Sequence, residues 1–151
     1  MPSRRRAVVS ALELDAALTA RPALGLRRLL DACVASGRDV GVISELSESA
    51  VLATFQGQGM NGHIAAVAAR QGLDLSACDA ACTTQRAADL LGVGVTGCLV
   101  VSGNAGMLFA ARRTGAVGLG YECGRDRRKH LAETDSPVVS GIATLTRALL
   151  G

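Results

Sequence analysis

Glu13 and Asp15, one residue apart, stand at the end of the first apolar run, and Ser44 closes a second. Two carboxylates and a hydroxyl gathered at strand ends form a polar trio suited to acid–base or nucleophilic work, and Cys78 adds a thiol nucleophile. Ser47-Glu48-Ser49-Ala50 follows Ser44 as a helix start, whose free N–H groups favour anions. Cys82 lies one helical turn beyond Cys78, a spacing at which two thiols can pair. Gly103-Asn104-Ala105-Gly106 sits between a strand and a helix, where backbone amides can cradle a phosphate, with Ser44 as a further anion contact. That turn lacks the third glycine of a dinucleotide fingerprint and the lysine of a P-loop. Each feature also has a plain reading: solvated acids, a cap serine, small cysteines, an ordinary turn. Only their convergence would make a site.

The elements that must bring them together alternate between apolar runs and helical patterns, which predicts a parallel α/β sheet. Ala7 to Leu14 reads as the first strand, Pro22 to Ser36 as a helix stopped at Gly37, and Val40 to Ser44 as a buried strand. Glu48 to Gln56 begins a helix, while His63 to Ala69 fits strand or helix because alanine dominates it. Thr83 to Leu91 is an amphipathic helix ending at Gly92, and Gly97 to Ser102 is a strand. Met107 to Arg113 is a helix closed by Gly115, and Val117 to Tyr121 is the fifth strand. Arg125 to Glu133 and Ile142 to Leu150 read as the last helices, with Val138-Val139 as a sixth edge strand. In such sheets ligands bind beyond the C-terminal strand ends, where these side chains would meet.

A chain of 151 residues suits one domain with a substantial core, here residues 7–151 behind a basic tip of residues 1–6. Hydrophobic residues make up 49% and aromatics 2%, so the core must be aliphatic. The formal charge of +3 is too small to imply nucleic acid. Arg4 to Arg6, and the cluster Arg125, Arg127, Arg128, Lys129 and His130, lack interleaved aromatics for base stacking. Glu13 and Asp15 interrupt the N-terminal apolar run, against a secretory signal, and no uncharged stretch reaches membrane-spanning length. Five cysteines without zinc-type spacing fit a cytoplasmic protein with reduced thiols, Cys33 and Cys98 lying in the core. Lys129 is the only lysine among many arginines, a skew expected of a GC-rich bacterial, actinobacterial genome.

Cys98 to Gly115, a strand, a small-residue turn and a helix ending Ala-Ala-Arg-Arg-Thr-Gly, resembles the fourth signature motif of the haloacid-dehalogenase-like (HAD-like) phosphohydrolases. In that motif valine, glycine, aspartate and serine are followed, after two residues, by a second aspartate. Gly103 and Met107 stand where the two magnesium-binding aspartates would be. Leu12 to Leu18 resembles the first motif, with Glu13 at the nucleophile and Asp15 at the acid/base; a second register puts Ala11 and Glu13 there. Glutamate extends the attacking oxygen by a methylene, and a displacement near ~1 Å can cost about 10²-fold. Val42 to Glu45 is similar to the second motif, whose hydroxyl, here that of Ser44, binds phosphoryl oxygens. Counting back from Leu91-Gly92 puts Cys78 at the lysine of the third motif. Arg70 is the nearest upstream cation to replace it, whereas Arg86 is expected on the exposed side of its helix.

The resemblance, which covers nearly the whole chain, implies a three-layer α/β/α domain with a mainly parallel sheet of five or six strands and no cap domain. Hard oxygen ligands hold Mg²⁺ in such a site, and neither a glycine nor a thioether replaces a carboxylate. The expectation is a catalytically degenerate, non-catalytic domain with no metal ligands and no cofactor, Mg²⁺ entering only if enzyme activity survives. A partner protein or second copy would cover the open site, and a small phosphorylated or anionic ligand is the expected guest. The alternatives are a divergent hydrolase using Glu13, Asp15, Ser44 and Cys78, and a phosphate or nucleotide module using Ser44, Gly103 and Asn104.

Overall fold

The computed structural model describes residues 13–70, 80–123 and 128–151. Residues 13–19 are helical (α1), followed by α2 (Leu26–Ala35), β1 (Gly41–Ser47), α3 (Glu48–Gly57) and β2 (Ala66–Arg70). Next come α4 (Ala80–Leu91), β3 (Leu99–Ser102), α5 (Ala105–Thr114), β4 (Val117–Tyr121), α6 (Arg128–Ala132), β5 (Val138–Val139) and α7 (Ile142–Leu150). All described strand pairs are parallel, in a two-stranded piece β1-β2 and a three-stranded piece β3-β4-β5.

Most elements fall where periodicity and glycine stops put them. Gly115 closes α5 in the left-handed conformation, and its N–H and that of Ala116 return to the last carbonyls of the helix. The alanine-rich segment after His63 is a strand, because Ala66, Ala68 and Ala69 are buried and pair in register with β1. The first strand is corrected in part. Residues 13 and 14 are already helical, and residues 7–12 lie outside the described residues, as do Arg125 and Arg127.

The core is aliphatic and small. Met60, Leu108 and Leu131 are fully buried, and alanines of α3, β2, α4 and α5 make up much of the rest of the core. Small residues let α4 lie close against β1, β2 and α5. Buried Thr84 and Thr146 donate to carbonyls one turn back, Ala80 O at 2.7 Å and Ile142 O at 3.1 Å, so neither hydroxyl is left unsatisfied. No helix among the described residues is long and apolar enough to cross a membrane. The path from α1 to α2 takes residues 20–25, and no domain is inserted there.

Cys33 and Cys98 are free and half-buried rather than fully in the core, and burial pushes the Cys33 thiol above its ordinary range. Cys82 departs from the expectation of reduced thiols: it is disulfide-bonded.

Candidate functional site

The C-terminal ends of β1 and β2 are brought level by an irregular register. Gly41, Val42 and Ile43 pair in step with Ala66, Val67 and Ala68, but the next pair is Ser47 with Arg70. Residues 44–46 therefore bulge out against Ala69 alone. Ser44 turns its hydroxyl back onto the bulge, accepting from Leu46 N at 3.1 Å. Ser47 then caps α3, its Oγ accepting from Ala50 N at 3.4 Å, as the serine-rich helix start predicts.

Glu13 closes this corner from α1. Its Oε1 lies 2.8 Å from Arg70 Nη2, and Oε2 accepts from Ser47 N at 3.1 Å. The two side chains are shielded, Glu13 being 11% exposed and Arg70 16%. Burial pushes the Glu13 carboxyl up, but the hydrogen bonds from Ser47 and the charge of Arg70 outweigh it and hold the group below the usual carboxylate range. Arg70 is thus the cation paired with Glu13. Its Nε is buried with no hydrogen-bond partner among the described residues.

Asp15 does not share this corner. Two residues along a helix point to different sides, and Asp15 is exposed on α1. The pairing of Glu13 with Asp15 across a strand end is therefore corrected. Ala11, like Cys78, lies outside the described residues. Arg86 is also corrected: it is half-buried and donates through Nη2 to Ala69 O, because the last carbonyls of β2 draw it inward.

At the end of β3 the polar atoms are spent on the turn. Ser102 Oγ accepts from Asn104 N at 3.1 Å, and Asn104 Oδ1 accepts from Met107 N at 3.3 Å, capping α5. Replacing Asn104 by Ala should therefore cost about 1 kcal/mol of stability, read as a lower urea midpoint. The Met107 sulfur faces the Thr84 hydroxyl at 3.9 Å. Gly103 is enclosed: a Cβ there would lie 2.3 Å from Cys123 Sγ and 3.0 Å from Tyr121 O.

These residues do not fit a Mg²⁺ ion. Gly103 carries no carboxylate and a Cβ there would press on Cys123 Sγ and Tyr121 O, Asn104 Oδ1 caps α5, and Met107 offers sulfur, which is too soft for magnesium. No three His, Cys, Asp or Glu side chains among the described residues are grouped to hold a metal. Among the described residues the printed polar contacts of Glu13 and Ser44 stay within the β1-β2 corner, and those of Ser102 and Asn104 within the β3 turn. In the basic cluster Arg128 holds Glu122 at 3.4 Å and Val138 O at 3.1 Å, a structural use.

A cavity of about 210 Å³ lies elsewhere, lined by α3 and the start of β2, including Leu52, Phe55, Ile64 and Val67. It is at the wrong end of β2 for strand-end chemistry.

An α/β domain with parallel strands and polar strand-end turns is the class defined so far, and solved structures make it specific. A HAD phosphatase from Thermococcus onnurineus matches with a TM-score of 0.75 at 16% identity, over 94% of this chain and 64% of that one. A HAD family hydrolase from Deinococcus radiodurans, solved with bound phosphate and sodium, matches with a TM-score of 0.71 at 18% identity, over 83% and 58%. A HAD-superfamily hydrolase from Ehrlichia chaffeensis gives 0.69 at 8% identity, over 85% and 57%. The chain has the HAD-like fold, and it spans about three fifths of the length of these structures. No protein-family model and no curated protein matches it.

Proposed function

We propose that this chain is a HAD-like domain that has given up Mg²⁺-dependent phosphoryl transfer and acts through binding or assembly. The observation that carries this reading is the closed space at Gly103, where a magnesium-binding aspartate would be expected. A side chain there would meet the backbone oxygen of Tyr121 as well as the Cys123 sulfur, so it could enter only if Cys123 turned away and β4 gave slightly. Supporting it, Asn104 and Ser102 are committed to local turns, and Glu13 is held by Arg70 rather than left free as a nucleophile or acid.

The similar structures bear the names of hydrolases and phosphatases, and phosphoester hydrolysis is the chemistry lost on this reading. The domain is capless, its strand ends open to a partner protein or a second copy. A cytoplasmic setting in a bacterium, and a single domain over residues 7–151, complete the proposal.

The test is hydrolysis of p-nitrophenyl phosphate. No release of p-nitrophenol above the uncatalysed rate is expected with millimolar Mg²⁺, and no rise in melting temperature on adding the metal. Mg²⁺-dependent turnover that disappears in Glu13→Gln would overturn the reading in favour of a divergent hydrolase.

A further inference from the structure

We propose that the cavity between α3 and the start of β2 is a binding site for a small organic ammonium, a compact apolar body carrying one positive charge. Glu48, Leu52 and Phe55 line it from α3 at spacings of four and three residues, which puts all three on one face of the helix. Seven residues of α-helix span about 10 Å, so the cavity is a slot of roughly that length. Ile64 and Val67 line it from the entry into β2. Met60 N donates to Phe55 O at 2.8 Å, which sets Asn61 beside Phe55, at the end remote from Glu48. No residue of the Glu13–Arg70 pair lines the slot. Its volume of about 210 Å³ is below the ~300 Å³ at which sites for drug-sized ligands begin, so the guest is small, on the order of ten non-hydrogen atoms.

The walls are apolar and reach solvent. Leu52 is 45% exposed, and Phe55, Ile64 and Val67 are half-buried. An apolar guest removes that surface from water, which is the main favourable contribution open to it. Glu48 is the one charged side chain in the lining. Its carboxylate makes no hydrogen bond or ion pair among the described residues, unlike those of Glu13 and Glu122. It stands in the first turn of α3, where the helix dipole favours a negative charge. A bare acid at one end of an apolar slot attracts a cation and repels an anion. The Asn61 side chain is likewise uncommitted among the described residues and offers a neutral hydrogen bond at the far end. A peptide adding as a strand to β2 is disfavoured, because the backbone it would pair with is covered: Ala66 is 9% exposed and Ala68 0%.

The test titrates nitrogen-15-labelled protein with three probes that share one apolar body: 2-phenylethylammonium, 2-phenylethanol and 3-phenylpropanoate. Backbone amide shifts are followed near neutral pH at constant ionic strength. Saturable shifts should be confined to residues 48–55 and 61–67, with a Kd on the order of 10⁻³ M for the ammonium. The alcohol should bind about fivefold more weakly, and the carboxylate more weakly still. Glu48→Gln should bring the ammonium down to the level of the alcohol and leave the alcohol unchanged. Leu52→Ala, a change at an exposed position, should weaken all three by about fivefold and keep their order. The proposal is overturned if the ammonium gives no saturable shifts in the slot, if the three probes bind alike, or if Glu48→Gln leaves their order intact. Shifts centred on Glu13 and Arg70 instead would put the guest at the strand ends and overturn it as well.

Discussion

Arg70→Met should lower the stability of the domain by about 2 kcal/mol at pH 7, measured as a fall in the urea midpoint at unchanged slope. Removing one partner of a buried ion pair typically costs roughly 3–5 kcal/mol, because the other charge is left stranded. Glu13 and Arg70 are 11% and 16% exposed, so some solvent screening remains and the lower figure applies. The methionine fills the volume of the arginine stem, which keeps the loss electrostatic rather than a cavity effect. Glu13→Gln should cost less, since its amide oxygen can still accept from Ser47 N.

The same pair sets a pH dependence with a definite sign. Glu13 ionises below the usual carboxylate range in the folded protein, from a reference of 4.5. Its contribution is fully present above that reference and is lost as pH falls through the lowered folded value. The stability gap between wild type and Glu13→Gln should therefore be widest near neutrality and close in acid. In Arg70→Met burial of Glu13 is no longer offset by a cation, so the penalty should shrink as the carboxyl protonates. A gap independent of pH from 7 down to about 3 would show that the pair contributes packing alone.

How much of this was legible in the residues depends on whether local or long-range terms decide. Helix α5 and strand β4 were readable because Gly115 and the valine-leucine run carry their own signals. The segment Ala66–Arg70 was not, since alanine by itself favours a helix and only pairing with β1 makes it a strand. Glu13 was found as a candidate acid, yet its surroundings were misread. Nothing in the residues around it marks that a helix already covers residues 13–19, and its partner is set by the Ser47–Arg70 register. Arg86 misled for a similar reason. Helical spacing puts it near the polar Gln85 and Asp89, but an unspent carbonyl at Ala69 captures it.

Gly103→Asp, the substitution that would write the expected metal ligand back into the β3 turn, should destabilise the protein and leave it without Mg²⁺ chemistry. A Cβ at this position would sit 2.3 Å from Cys123 Sγ and 3.0 Å from Tyr121 O. The exposed cysteine can rotate away, but the carbonyl belongs to the last residue of β4 and moves only with its strand. Overpacking of this kind costs about 1–3 kcal/mol. Pairing the change with Cys123→Ala separates the two clashes: it should recover the sulfur contribution and leave that of the backbone. Even the double variant has a thioether at Met107 and a capping amide at Asn104, so one carboxylate would stand among poor magnesium ligands. The expected result is a melting temperature some 2–8 °C below wild type and unmoved by Mg²⁺. If Gly103→Asp instead kept wild-type stability and gained a Mg²⁺-dependent rise, the turn would have room for a ligand, and the loss of chemistry would lie in the missing carboxylate rather than in the packing that replaced it.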